Sequence, residues 1–172
     1  MMATANLISV EDYLETSYRP DREYVDGLVV ERNLGEYDHS NLQGALTTFL
    51  RNRQREWNIR VLPEQRVRVS PKRVRIPDVC IISRDQPIEP VITHPPLVCI
   101  EVVSREDRIR YFQDKVDEYI TLGVPAIWLF DPAKRLAYVC TREGFLAPEG
   151  GILTVPGTPI QVPLNDLFAD LD

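Results

Sequence analysis

VRIPDVCIISR, residues 74–84, decides how the chain is read. Residues 74–83 have the β-branched, apolar composition of a buried strand. Pro77 inside that run asks for an edge position, a bulge or a strand start. Asp78 follows it directly. A carboxylate in an apolar run needs a partner, a metal or a task.

A second central strand is expected in LVCIEVVS, 97–104, with Glu101 inside it. Side chains alternate along a strand, so Asp78, Cys80 and Ile82 share one face. Cys99, Glu101 and Val103 share one face of the other strand. If the two strands are neighbours, the carboxylates converge. Two buried like charges repel strongly. A divalent cation removes that conflict, and Mg²⁺, with Mn²⁺ as a substitute, takes a couple of carboxylates plus waters.

Around these strands the pattern alternates. SVEDYLET, 9–16, is a short helix with Ser9 as its N-cap and Asp12 three residues on. REYVDGLVVER, 22–32, places two β-rich runs around Asp26-Gly27, a hairpin signal. In 38–57 Leu42, Ala45, Leu46, Phe49 and Leu50 form one apolar stripe of a long helix, with Asp38 or Ser40 as cap. NIRVL and QRVRVS read as strands, and 84–96 as a proline-rich loop. EDRIRYFQDKVDEYITLG, 106–123, is the second long helix, stopped by Gly123. PAIWLFD and RLAYVC are further strands; short strands and a last helical turn follow. The order predicts an α/β (α+β) fold, a mixed sheet covered by helices, as a single domain over residues 1–172.

The 172 residues are 44% hydrophobic, enough for a core. No apolar run approaches the ~20 residues of a membrane span. The first residues lack a basic start followed by an apolar stretch, so no export signal is expected. Three dispersed cysteines then read as reduced thiols of a cytoplasmic protein, and two histidines add no zinc motif. Net charge is −6, yet Arg51 to Arg75 holds nine basic and two acidic residues, +7, leaving −13 elsewhere. That segment is either a phosphate-binding face or a set of side chains solvated or paired with distant acids.

In the second long helix the buried stripe is Ile109, Phe112, Val116, Tyr119 and Ile120. Lys115 lies ~100° from its centre, on the flank. From the helix alone, a surface lysine paired with Asp114, Glu118 or a neighbouring strand is the simpler reading. His94 reads as a loop residue, Trp57 and Trp128 as core anchors, and Asp131 as the start of a turn.

The ordered set IPDV, IEVVS, a helical DK and YITLGVPAIWLFDP resembles the PD-(D/E)XK nuclease superfamily. More closely it resembles the Uma-two branch of restriction endonuclease-like proteins. EYVDGLVVE and EYDHSNLQGAL fit the same branch, and the resemblance spans about residues 7–140. It implies a restriction endonuclease-like core and Mg²⁺-dependent cleavage of phosphodiesters. Asp78 becomes the first acid and metal ligand, and Glu101 the second. Val103 stands where the superfamily has its lysine, so Lys115 is the implied substitute. Glu23 and His39 are implied to border the site, Glu23 as a further metal ligand or to orient a water, His39 to contact phosphate.

Three functions follow as expectations. The first is an endonuclease acting on DNA, paired as a homodimer to cut two strands. The second is an inactive nuclease-fold module that binds nucleic acid or protein partners, motivated by Val103 and the acidic net charge. The third is a protein–protein module without nucleic acid.

Overall fold

The computed structural model describes residues 6–32, 35–104 and 109–171. The elements in order are α1 (Val10–Glu15), β1 (Glu23–Val25), β2 (Leu28–Val30), α2 (Tyr37–Arg53), β3 (Ile59–Pro63), β4 (Val67–Ser70), β5 (Arg73–Arg75), β6 (Val79–Ser83) and β7 (Val98–Val102). Then come α3 (Ile109–Leu122), β8 (Ala126–Asp131), β9 (Leu136–Thr141), β10 (Gly144–Leu146), β11 (Ile152–Thr154), β12 (Gln161–Pro163) and α4 (Leu164–Ala169).

Local chemistry sets several boundaries. The Asp12 amide donates to Ser9 Oγ at 3.0 Å, and the Ser9 hydroxyl donates back to the Asp12 carboxylate at 2.7 Å, capping α1. Asp26 (φ 50) and Gly27 (φ 95) make the two-residue turn that pairs β1 with β2. Both central residues at positive φ match the twist of a hairpin. A Cβ on Gly27 would also come within 3.0 Å of Leu7. Gly123, at φ 100, ends α3 where the sequence predicts. The expected start of that helix lies outside the described residues.

α2 departs from expectation at both ends. Glu36, not Asp38 or Ser40, takes the N-cap position, and it makes no side-chain cap bond. Asp38 instead sits in the first turn, where its charge still favours the helix N-terminus. The helix stops at Arg53, and the chain turns through Asn58, at φ 53, into β3.

The largest sheet has the order β10-β9-β8-β7-β6-β3. Its β7–β8 pair is parallel and bridged by α3; the other pairs are antiparallel. A second sheet, β2-β1-β5-β4, stands beside it, and β11 pairs with β12. This is the mixed sheet flanked by helices that the sequence predicts. Leu42, Leu46 and Leu50 of α2 pack with Val79, Ile81, Val98, Ile100, Val102, Trp128 and Phe130 on one sheet face. Phe112, Val116 and Tyr119 of α3 pack with Cys80, Ile82, Cys99, Ile127 and Leu129 on the other. No helix among the described residues is long and apolar enough to cross a membrane.

Residues 74–83 correct the sequence reading: they form two strands in two sheets. β5 pairs with β1 and β4, whereas β6 pairs with β3 and β7. Pro77 has no N–H for a ladder, so the chain leaves one sheet there and enters the other. Asp78 sits at that crossing.

Candidate active site

β6 and β7 are antiparallel neighbours, with Val79 opposite Ile100 and Cys80 opposite Cys99. Asp78 lies just before β6, next to this ladder, and Glu101 is on the face that α3 covers. Both acids are buried. Asp78 Oδ2 accepts the Val102 amide at 2.7 Å, which ties it to β7. Arg32 Nη2 reaches Asp78 Oδ1 at 2.9 Å, and His39 Nε2 lies 3.3 Å from Oδ2. Gln43 of α2 donates to the Asp78 carbonyl at 2.9 Å, fixing the backbone at the crossing.

Glu101 faces α3. Lys115 Nζ is 3.1 Å from Glu101 Oε2, and the Tyr119 hydroxyl donates to Oε1 at 2.7 Å. The same ammonium is 2.8 Å from Glu23 Oε1 on the hairpin. Glu23, fully buried, also accepts from Arg75 (2.9 Å), Tyr111 (2.7 Å) and the Ile76 amide (3.1 Å). Arg75 in turn pairs with Glu118, which Arg73 also contacts. Lys115 is therefore not a surface lysine: it is 3% exposed and joins β1 to β7. The helix pattern could not reveal this, because the cover over that flank of α3 is the second sheet.

Electrostatics divide the acids. Burial, with Asp78 and Glu23 nearby, pushes Glu101 up to about 7 despite Lys115. Burial also opposes the charge on Glu23, but Lys115 and Arg75 outweigh it and hold this carboxyl at about 2. Asp78 is likewise buried, yet the His39 hydrogen bond leads the favourable contacts that keep it below the usual aspartate range. Burial pulls Lys115 towards neutrality; Glu101 and Glu23 more than reverse that, so its ammonium stays charged.

All five residues singled out in the sequence, Asp78, Glu101, Lys115, Glu23 and His39, thus meet in one linked cluster. Arg32, Tyr111 and Tyr119 belong to it too and were not singled out. Arg32 carried no usable signal, because its partner Asp78 is 46 positions away. Arg75 belongs to the basic segment, which holds residues paired with acids, residues bonded to backbone carbonyls (Arg60, Arg68) or lying over the Phe49 ring (Arg53), and exposed residues. Arg66 pairs with Asp21, Arg73 with Asp26 and Glu118, and Arg75 with Glu23 and Glu118. Arg51, Arg55 and Lys72 are exposed. Pairing with distant acids therefore accounts for most of the positive charge on β5. His94 is engaged by Glu89 in its loop, at 2.8 Å.

Oxygen chemistry fits a hard cation here. Among the described residues no group of three or more His, Cys, Asp or Glu is set to hold a metal. Mg²⁺ does not need three, since waters and substrate oxygens complete its shell around one or two carboxylates. A soft-ligand site fits less well: burial pushes the Cys80 and Cys140 thiols up to about 12 and Cys99 well above its ordinary value. Protonated thiols are poor ligands.

Residues 10–163 match the family model described as "Uma2: Putative restriction endonuclease". The chain belongs to this family. A crystal structure of "a putative nuclease belonging to DUF820 from Anabaena variabilis ATCC 29413" superposes on this Uma2 chain with a TM-score of 0.80. That likeness covers 96% of this chain and 99% of the other at 17% identity, and it shows a shared nuclease-like fold. A partial likeness to a structure described as a "DrdV-DNA complex" has a TM-score of 0.42. It covers 75% of this chain and 10% of that one at 15% identity. Comparison with curated protein sequences gives no match.

Proposed function

We propose that this Uma2-family chain is an endonuclease that hydrolyses phosphodiester bonds in DNA with Mg²⁺ or Mn²⁺. The observation that carries the proposal is the burial of two neighbouring acids, Asp78 tied to the Val102 amide beside Glu101, with Lys115 bonded to Glu101. Buried carboxylates without an apolar alternative are costly, and functional sites are where such cost is tolerated. Asp78 and Glu101 would hold the cation, which when bound supplies an activated water and charge neutralisation at phosphate.

The remaining steps belong to the chain's own side chains. Lys115, kept charged by Glu101 and Glu23, offers an N–H to the attacking water or to a phosphate oxygen. Glu23 is a positioning residue: Arg75, Tyr111 and the Ile76 amide fix it, and it fixes the ammonium. Only the ammonium's location matters, so a helix can deliver what Val103 does not. Arg32 balances the charge of Asp78 before the cation enters, and His39 touches the same carboxylate; both are then placed to face an incoming phosphate. A homodimer would cut both strands.

Supercoiled plasmid with Mg²⁺ or Mn²⁺ tests the proposal. Nicking by the wild type and its loss in Asp78→Asn is the expected result; equal nicking by both removes this site. A second reading, a nuclease-fold module that only binds nucleic acid or protein, is favoured by one observation. Arg32 and Lys115 already occupy the acids as counter-cations. Salt-sensitive DNA binding without cleavage in any metal would select it.

A further inference from the structure

Beside the carboxylates lies a feature that the cleavage reading leaves unused. A pocket of about 440 Å³ opens at the ends of β7 and β8. Its wall is Val103, Phe112, Leu129, Tyr138 and Phe145. The volume falls within the roughly 300–1,000 Å³ of small-molecule sites. Three observations join it to the acids. Leu129 is the ladder partner of Glu101. Val103 follows Glu101 by two residues, so it projects to the same face. His39 lines the pocket and also lies 3.3 Å from Asp78.

The mouth has a different character. Glu36, Asp38 and Asp131 border it, against Lys134 alone among the lining lysines and arginines of the described residues. Lys134 is itself paired with Asp131 at 3.2 Å. Such a mouth repels phosphate and other anions, while its carboxylates accept hydrogen bonds from neutral amines. Inside, the Tyr138 and Phe145 rings stand 6.4 Å apart and tilted by 46°, beside buried Phe112 and Leu129. That wall suits a flat, neutral ring. A lysine at position 103 would put an ammonium into it; valine leaves it apolar.

We propose that this pocket receives a nucleobase of the strand being cut, unstacked from its neighbours and carrying an exocyclic amine. The proposal rests on the nuclease reading, since it makes the substrate locally single-stranded or distorted at the cut. Aromatic walls hold the ring, the acidic mouth takes the amine, and the backbone phosphate stays outside, towards Asp78 and Glu101. Cytosine, adenine and guanine meet those conditions; thymine lacks the amine.

The test uses the full chain, methyl-labelled, titrated without metal with each of the four deoxynucleosides. Val103 and Leu129 methyl resonances report the pocket. Deoxycytidine, deoxyadenosine and deoxyguanosine should shift both, saturating in the millimolar range, with thymidine about fivefold weaker or more. Ala133→Trp, at an exposed turn residue on the pocket rim, should weaken binding by about tenfold or more. Absence of shifts, or shifts undiminished in Ala133→Trp, would overturn the pocket assignment. Equal thymidine binding would overturn the role of the mouth carboxylates. The titration involves neither cleavage nor phosphate. Nucleoside binding in a protein that never cuts DNA sinks the nuclease reading and leaves the pocket as a base-binding site only; cutting without nucleoside binding sinks the pocket and leaves the nuclease reading standing.

Discussion

The two faces of the six-stranded sheet differ although they are built from the same strands. The face under α2 is apolar throughout, from Val79 and Ile81 to Trp128 and Phe130. The face under α3 begins apolar with Cys80, Cys99 and Ile127, then carries Glu101 against Lys115 and Tyr119, with Asp78 beside it at the start of β6. Ile100 and Glu101 are adjacent in β7 and point to opposite faces. One is held by packing, the other by Lys115 and Tyr119. Stability alone does not need the second arrangement, because well-packed apolar residues usually serve as well as a buried ion pair. The contrast marks the α3 face as the one kept for chemistry.

The largest effect expected from breaking the contrast is on cleavage. Asp78→Asn or Glu101→Gln should lower plasmid nicking by about 1,000-fold, with circular dichroism unchanged. Ile100→Ala should do the reverse: it costs about 2–5 kcal/mol in urea denaturation but leaves nicking near wild type wherever the protein is folded. Matching losses of activity in both would erase the difference between the faces.

Lys115→Met comes next. It leaves Glu23 and Glu101 buried without their shared ammonium and should cost about 3–5 kcal/mol. Adding Glu101→Gln should recover part of that stability, since one uncompensated charge is removed. A double variant no more stable than Lys115→Met would mean that the lysine acts by packing.

Glu23 gives a pH signature. Its folded value of about 2 lies below the ordinary glutamate value of 4.5, so its charge stabilises the fold above about 4.5. That contribution, about 3 kcal/mol, is lost as pH falls from 4.5 towards 2. Glu23→Gln should flatten the acid limb of the stability curve in that window. An unchanged limb would show that Glu23 is not held by Lys115 and Arg75.

The smallest effects belong to the exposed part of the basic segment. Arg55→Ala should change stability by less than about 0.5 kcal/mol. Arg66→Ala should cost more, because Arg66 bonds Asp21 and lies over the Tyr13 ring at 4.7 Å. Equal values would remove the division of that segment into paired and solvated residues.

Much of this was legible where the signal is local. Ser9 with Asp12, Asp26-Gly27, the Leu42-Leu46-Leu50 stripe and the stop at Gly123 each act within a few residues, and each stands as read. That the strands of Asp78 and Glu101 are neighbours was legible, whereas the position of Asp78 before β6, held by the Val102 amide, Arg32 and His39, was not. Pro77 signals a strand boundary in the sequence, but only the fold shows that it divides one apolar run between two sheets. The burial of Lys115 and the arrival of Arg32 at Asp78 were not legible. Both depend on segments distant in sequence being folded over α3 and β6, and no helical or strand period encodes that.

The central claim is that Asp78 and Glu101 share a divalent cation. Crystals soaked in Mn²⁺ and measured at the manganese absorption edge test it most directly. The expected result is one anomalous peak between the two carboxylates, with Arg32 displaced from Asp78 and the peak gone in Glu101→Gln. Full Mn²⁺ exposure with no peak there, and Arg32 still bonded to Asp78, would contradict the account.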